Sequence, residues 1–137
     1  MDHHYTFKPI DIVYESRRET LTIFSQIQNV QHTPGITEKL DLVFNRSNNL
    51  YVVKSLDGLL IGTMPWQFKH FLYVQDTKGS WCQSTGSYRQ SSFFDETDGV
   101  EKTMNVITCA YHIRCERFVV EEAKRYFSQL DIVDNVL

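Results

Sequence analysis

Apolar and polar residues alternate along most of this chain, which is the spacing of half-buried β-strands. Near the carboxyl end the spacing changes to steps of three and four, which is typical of an amphipathic helix over about 117–130. The pattern predicts an α+β fold: a mostly antiparallel β-sheet of about seven to nine strands, curled or closed into a barrel, with one C-terminal amphipathic helix. The residues expected to face the core are Leu21, Ile23, Ile27, Ile107, Cys109, Tyr111, Ile113, Val120, Ala123, Phe127 and Leu130.

Turn signals divide the alternating region into successive strands. A polar turn at 46–49 and an Asp-Gly pair at 57–58 separate the strands 40–45, 50–54 and 59–63, which predicts an antiparallel meander. The polar segment 84–90 is either a loop or an exposed edge strand. The other predicted elements are an edge strand over 5–14, a charged turn over 15–19, a strand over 20–30, a loop over 32–39, a hairpin of 70–75 with 80–83, an acidic turn ending at 99 and a long strand over 103–114.

Length, charge and cysteine content limit the class of protein. The chain has 137 residues, and its 3 Pro and 6 Gly do not cluster into a linker, so we expect a single domain over 1–137. No signal peptide and no run of ~20 apolar residues is readable, so we expect no membrane span. The odd cysteine count, 3, fits free thiols and a cytoplasmic location.

Cysteine and histidine form the sharpest local pattern, between Cys109 and Cys115. With His112 and Cys82, these residues have the chemistry of a zinc site. On a strand, however, Cys109 and Cys115 would lie roughly 20 Å apart, and His112 would point to the opposite face. Because no signature places a base such as His70 or His112 beside Cys82, we expect no catalytic residue and no metal site, although active-site residues can converge from separate strands.

Acidic residues cluster over 95–101, a density that could hold Ca²⁺. The segment lacks the ligand spacing and closing glutamate of an EF-hand loop, so we favour an acidic hairpin turn at Asp98-Gly99. The dispersed glycines match no phosphate-binding loop, and we expect no cofactor.

Aromatic residues concentrate between Trp66 and Phe94, together with several basic side chains and a single acid, Asp76. Aromatic residues on strands are either core or contact surface, and aromatic residues with cations also serve single-stranded nucleic-acid platforms. The predicted binding residues are Trp66, Phe68, Lys69, His70, Phe71, Tyr73, Trp81, Tyr88 and Arg89.

Three functions are consistent with these features. The leading hypothesis is a non-enzymatic module that recognises a protein partner, or a second copy of itself as a dimer, through this aromatic-rich region. The first alternative is a β-barrel that binds a small apolar ligand in an aromatic-lined cavity. The second alternative is a single-stranded RNA- or DNA-binding protein, which the net charge of −3 makes less favourable.

Overall fold

Strands dominate the structure, and each helix begins as a 3-10 turn. A computed structural model of the chain describes residues 17–47, 49–72 and 77–137. The strands are β1 (Arg18–Ile27), β2 (Lys39–Asn45), β3 (Leu50–Ser55), β4 (Leu60–Thr63), β5 (Trp81–Asp95), β6 (Val100–Glu116) and β7 (Asn135–Val136). The helices are α1 (Lys69–Leu72), which continues the 3-10 turn Trp66–Phe68, and α2 (Val120–Ser128), which continues the 3-10 turn Arg117–Val119.

The seven strands form one antiparallel sheet with the order β4-β3-β2-β5-β6-β1-β7. Just beyond β1, the backbone of Gln28 exchanges two hydrogen bonds of 2.8 Å with Thr63 of β4, so the sheet is strongly curled. In the described part of the chain the sheet remains open, because β7 pairs with β1 at Ile23 and Phe24. The predicted α+β class is therefore confirmed. Of the two predicted forms of the sheet, curled or closed into a barrel, the curled form is the correct one.

The core lies in the concave face of the sheet, where α1 and α2 pack. Phe127 of α2 contacts Phe68 and Phe71 with ring centroids 5.0 and 5.3 Å apart, and Phe68 meets Tyr111 of β6 at 5.3 Å. Of the residues predicted to face the core, all except Leu130 are buried, and Leu130 packs half-buried against the same cluster. The period-two and helical patterns thus locate the buried faces correctly, because both patterns arise from contact with an apolar interior. Val120 is buried in a smaller cluster beside the main core.

The predicted aromatic strand over 70–75 is wrong where the structure describes it. His70 and Leu72 belong to α1, which follows Pro65 and a 3-10 turn. Phe68, Phe71 and Leu72 are buried, and their spacing of three and four residues is that of a helix face. The predicted hairpin with 80–83 is wrong as well, because β5 pairs with β2 and β6 instead. Residues 73–76 lie outside the described residues.

Smaller differences concern segment ends. Arg18 and Glu19, predicted within a charged turn, are the first residues of β1 and pair with Glu116 and Cys115 of β6. The polar segment 84–90 belongs to β5, so the edge-strand alternative is the correct one. The meander of β2, β3 and β4 is confirmed, and the predicted strand over 5–14 lies outside the described residues.

None of the helices in the described part of the chain is long and apolar enough to cross a membrane.

Candidate functional site

The residues predicted to bind a partner lie in the core and on three separate surfaces. Phe68 and Phe71 are core residues, with 0% and 6% of their surface exposed. Trp66, Lys69 and His70 surround the solvent side of the first helical segment, where Trp66 contacts His70 edge-on at 5.8 Å. The remaining described residues belong to β5: Trp81 lies over the middle of the sheet, and Tyr88 and Arg89 lie further along the strand. Tyr73 lies outside the described residues.

Trp81 stands on the outer face of the sheet, opposite the helices, between two polar partners. His112 of β6 stacks on its ring with centroids 4.7 Å apart and planes inclined by 26°. The ammonium of Lys39 in β2 lies 5.1 Å from the ring centroid, within cation–π range. Because β5 lies between β2 and β6, these partners approach from opposite sides and cover both faces of the indole.

A chain of hydrogen bonds fixes His112 in this position. The amide nitrogen of Gln83 donates to the carbonyl of Thr37, which turns the Gln83 carbonyl oxygen toward His112 Nε2 at 3.2 Å. His112 Nε2 therefore donates, and Nδ1 is free to accept from the Thr22 hydroxyl at 3.1 Å. Burial lowers the pKa of His112 below its ordinary value of 6.5, which favours this neutral form.

The arrangement around Trp81 is one of satisfied groups. The indole faces, both imidazole nitrogens and the Gln83 amide have partners within the chain. A nucleic-acid base could stack on Trp81 only by displacing Lys39 or His112. We therefore interpret this cluster as a structural one, whose side-chain contacts link the neighbouring strands β2, β5, β6 and β1.

The three cysteines lie in two separate clusters, and among the described residues they belong to no metal-ligand set. Cys82 and Cys109 lie in the main core, whereas Cys115 packs in a separate cluster with Val119 and Val120. Burial, together with a hydrogen bond to Cys109, raises the pKa of the Cys82 thiol well above 9.0. Cys82 faces the core and His112 faces outward, so the structure does not bring these two side chains together.

The acidic turn carries its own counter-ion. Lys102 Nζ lies 2.7 Å from a carboxylate oxygen of Asp95 and 2.8 Å from one of Asp98. Lys102, with the Thr97 hydroxyl and amide, lowers the pKa of Asp95 to about 2. A lysine thus occupies the position between the two carboxylates, and no group of three or more potential metal ligands occurs among the described residues.

The end of the long β5–β6 hairpin forms a two-stranded ribbon, which we define as Tyr88–Asp95 paired with Val100–Ile107. β2 pairs with β5 only at Trp81–Gln83, and β1 pairs with β6 only from Ile107 onward. The ribbon therefore extends past the neighbouring described strands. Val106 and Ile107 at its base are buried, whereas most of its residues toward the turn are exposed.

Four large apolar side chains, three of them aromatic, are exposed on this ribbon. Tyr88 is 48% exposed, Phe93 36%, Phe94 64% and Val100 52%. Phe93 and Phe94 point to opposite faces, since side chains alternate along a strand. Aromatic side chains exposed in this way are typical of contact surfaces.

Gly86 marks the place where β5 leaves the sheet and enters the ribbon. The pairing of β5 with β6 shifts register between Ser84 and Tyr88. A Cβ atom at Gly86 would lie 1.7 Å from the Thr108 hydroxyl oxygen, so a side chain does not fit there. The irregularity reorients the strand, as β-bulges do.

The interior offers little room for an aromatic-lined ligand cavity. The aromatic rings that face it pack on one another, as the contacts of Phe127 show. A surface pocket of 290 Å³ next to the core has Tyr51 as the one aromatic side chain among its described lining residues. Its other lining residues are Leu42, Leu72, Thr77, Lys78, Gly79, Ser80 and Ile113.

No protein-family model, curated protein or solved structure matches this chain.

Sequence reasoning placed Tyr88 and Arg89 in the site but omitted Phe93 and Phe94, although both lie within the aromatic segment. Their exposure depends on which strands end before the ribbon, which is long-range information that local spacing does not carry. The partners of Trp81 were missed for the same reason, because Lys39 and His112 are distant in sequence.

Proposed function

We propose that this chain is a non-enzymatic protein-binding module and that the ribbon is its binding surface. The observation that carries the proposal is the exposure of Tyr88, Phe93, Phe94 and Val100 on the ribbon, beyond the last residues at which β2 pairs with β5 and β1 pairs with β6. Aromatic anchors of this kind dominate the binding energy of protein interfaces. We also propose a reducing compartment such as the cytoplasm, because all three cysteines are free thiols.

Burial of apolar side chains and backbone pairing would both stabilise a complex formed at the ribbon. Fully burying one exposed Phe side chain contributes roughly 1.5–3 kcal/mol, so Phe93 and Phe94 together are a sizeable part of a micromolar affinity. Along the outer edge of β5 from Tyr88 to Asp95, the backbone donors and acceptors have no described strand as partner, and an extended segment can add there as a strand.

Two observations favour this function over the alternatives. The aromatic residues of the interior are used in packing, which weakens the case for a small apolar ligand. The ribbon turn is acidic, with Asp95, Glu96, Asp98 and Glu101 against Lys102, which repels a phosphate backbone.

The test is site-specific photo-crosslinking in cells of the source organism. The photo-reactive p-benzoyl-phenylalanine replaces Phe94 in one variant and Leu56 in a control, since Leu56 is similarly exposed, at 65%, on the β3–β4 turn. We expect a discrete protein adduct at position 94 that is absent at position 56. We also expect the captured protein to bind the purified chain, with an affinity that the double change Phe93→Ser and Phe94→Ser reduces at least roughly tenfold.

Equal adduct yields at positions 94 and 56 would contradict the proposal. So would a double serine variant that binds the captured protein as tightly as the unchanged chain does. Circular dichroism of that variant checks that the fold is retained.

A further inference from the structure

We propose that the partner of the ribbon is a second copy of this chain, with β5 of one copy pairing antiparallel to β5 of the other across a two-fold axis at Ser92. This inference rests on the proposed function and names its partner. The arrangement would join the two sheets into one continuous sheet.

Within the described residues, the outer edge of β5 is open to this pairing. On the side away from β6, β2 pairs with β5 only up to Gln83, and the amide of Thr37 then donates to the carbonyl of Ser84. From Tyr88 to Asp95 no described strand pairs with this edge. Ser91 and Ser92, at its middle, have small side chains that permit close approach of a second backbone.

Strand geometry limits the registers in which β5 can pair with itself. Only alternate residues of a strand present both their N–H and their C=O to the same edge. In a symmetric antiparallel pair, the two-fold axis must therefore pass beside a residue and not between two residues. For the stretch Tyr88–Asp95, the central registers are those about Ser91 and Ser92.

Charge selects the register about Ser92. It places Arg89 of each copy directly opposite Asp95 of the other, which gives two opposite-charge pairs. The register about Ser91 would instead place Arg89 opposite Phe93 and Tyr88 opposite Phe94. Arg89 forms no ion pair with any described residue, although it shares a surface pocket of 180 Å³ with Asp131 and Asp134.

The charge of the whole ribbon favours an antiparallel partner as well. Its turn end carries Asp95, Glu96, Asp98 and Glu101 against Lys102, a net charge of −3 from four acids and one base. Arg89 is at the opposite end of the ribbon, next to Tyr88. Antiparallel pairing brings the basic end of each copy to the acidic end of the other, whereas parallel pairing would bring like charges together.

The side chains of this register are also complementary in size. Phe93 lies opposite Ser91 and Phe94 opposite Gln90, so each ring lies beside a smaller side chain of the other copy. The phenyl rings of the two copies thus lie on either side of the two-fold axis and do not collide at it.

The register makes a sharp prediction for disulfide trapping. At the two-fold axis Ser92 is opposite itself, at a Cα separation of about 4.5–5.5 Å, which a disulfide spans. We expect Ser92→Cys to form a disulfide-linked dimer under mild oxidation. Ser91→Cys, offset from its own copy by two residues, is the matched control and should link far less. The three native cysteines are buried and should not contribute.

Sedimentation velocity of the unmodified chain and of charge variants provides the second measurement. We expect a concentration-dependent dimer that Arg89→Glu weakens roughly tenfold or more and that adding Asp95→Arg to Arg89→Glu restores. Asp131→Asn and Asp134→Asn, which alter the other acids near Arg89, should leave the dimer unchanged.

Three outcomes would overturn the inference: a monomer at all concentrations, preferential trapping by Ser91→Cys, or no rescue by the charge exchange. A monomeric chain that is nevertheless photo-crosslinked at position 94 to a different protein would overturn only the self-association and leave the proposed function standing. A monomer with no adduct at that position would overturn both.

Discussion

At the scale of single residues, His112 shows how neighbours set a protonation state. Its ring stacks on Trp81, while its nitrogens are paired with Thr22 and Gln83 in a pattern that suits the neutral imidazole. Burial lowers its pKa, so the unfolded chain binds a proton at this site more readily than the folded chain does.

We expect the free energy of unfolding to decrease as the pH falls below about 6.5, because the stabilisation by neutral His112 is complete above the unfolded pKa and is lost toward the lowered folded pKa. Urea unfolding between about pH 8 and about pH 5 measures this dependence. His112→Gln should be less stable at pH 8 and should show a shallower pH dependence. An equally steep dependence in that variant would assign the effect to other groups.

At the scale of elements, β5 explains why one part of the chain resisted sequence interpretation. Its first residues alternate between the buried face, with Cys82 and Ser84, and the outer face, with Trp81. From Tyr88 onward most residues are exposed on both faces, so no alternation of apolar and polar residues appears. The short α1 was missed for a related reason. Its helical spacing covers only Phe68, Phe71 and Leu72, and aromatic residues in so short a run also fit a strand.

The bulge that redirects β5 should depend on the missing side chain of Gly86. We expect Gly86→Ala to lower the free energy of unfolding by about 1–3 kcal/mol, because the new methyl group collides with the Thr108 hydroxyl. Adding Thr108→Ala should recover part of the loss by removing that hydroxyl, as measured by urea unfolding. Identical stabilities of Gly86→Ala and the unchanged chain would refute this account of the bulge.

At the scale of the whole molecule, the fold class followed from local patterns but the strand order did not. We could predict which residues of β1, β6 and α2 face inward, because apolar residues recur at the spacing with which each element contacts the core. The pairing of β2 with β5 skips two intervening strands, and no local turn signal indicates such a pairing. The candidate site depends on that non-local order, so only its aromatic content was predictable.

The curl of the sheet should depend on Gly62, where β4 meets the end of β1. A Cβ atom there would lie 2.5 Å from the carbonyl oxygen of Gln28 and 2.7 Å from the side chain of Ile27. We expect Gly62→Ala to cost about 1–3 kcal/mol in urea unfolding, since a backbone atom cannot rotate away. Gly35→Ala, whose added Cβ would meet only ordinary contacts at 3.6 Å or more, is the control and should change stability by about 0.5 kcal/mol or less. If the two substitutions changed stability equally, the curl of the sheet would not depend on the close contact between Gly62 and the end of β1.

The continuity of β6 has a mechanical consequence. This single strand of 17 residues begins in the ribbon, passes through the core at Tyr111 and ends where the segment leading to α2 begins. A force applied to the ribbon along the strand axis would load the ten residue pairs that join β6 to β1 in shear, all at once. A force across the sheet would peel the same pairs apart one at a time. If a partner binds the ribbon as proposed, a force along the strand axis would therefore be transmitted stiffly to the core. A force across the sheet would be transmitted weakly.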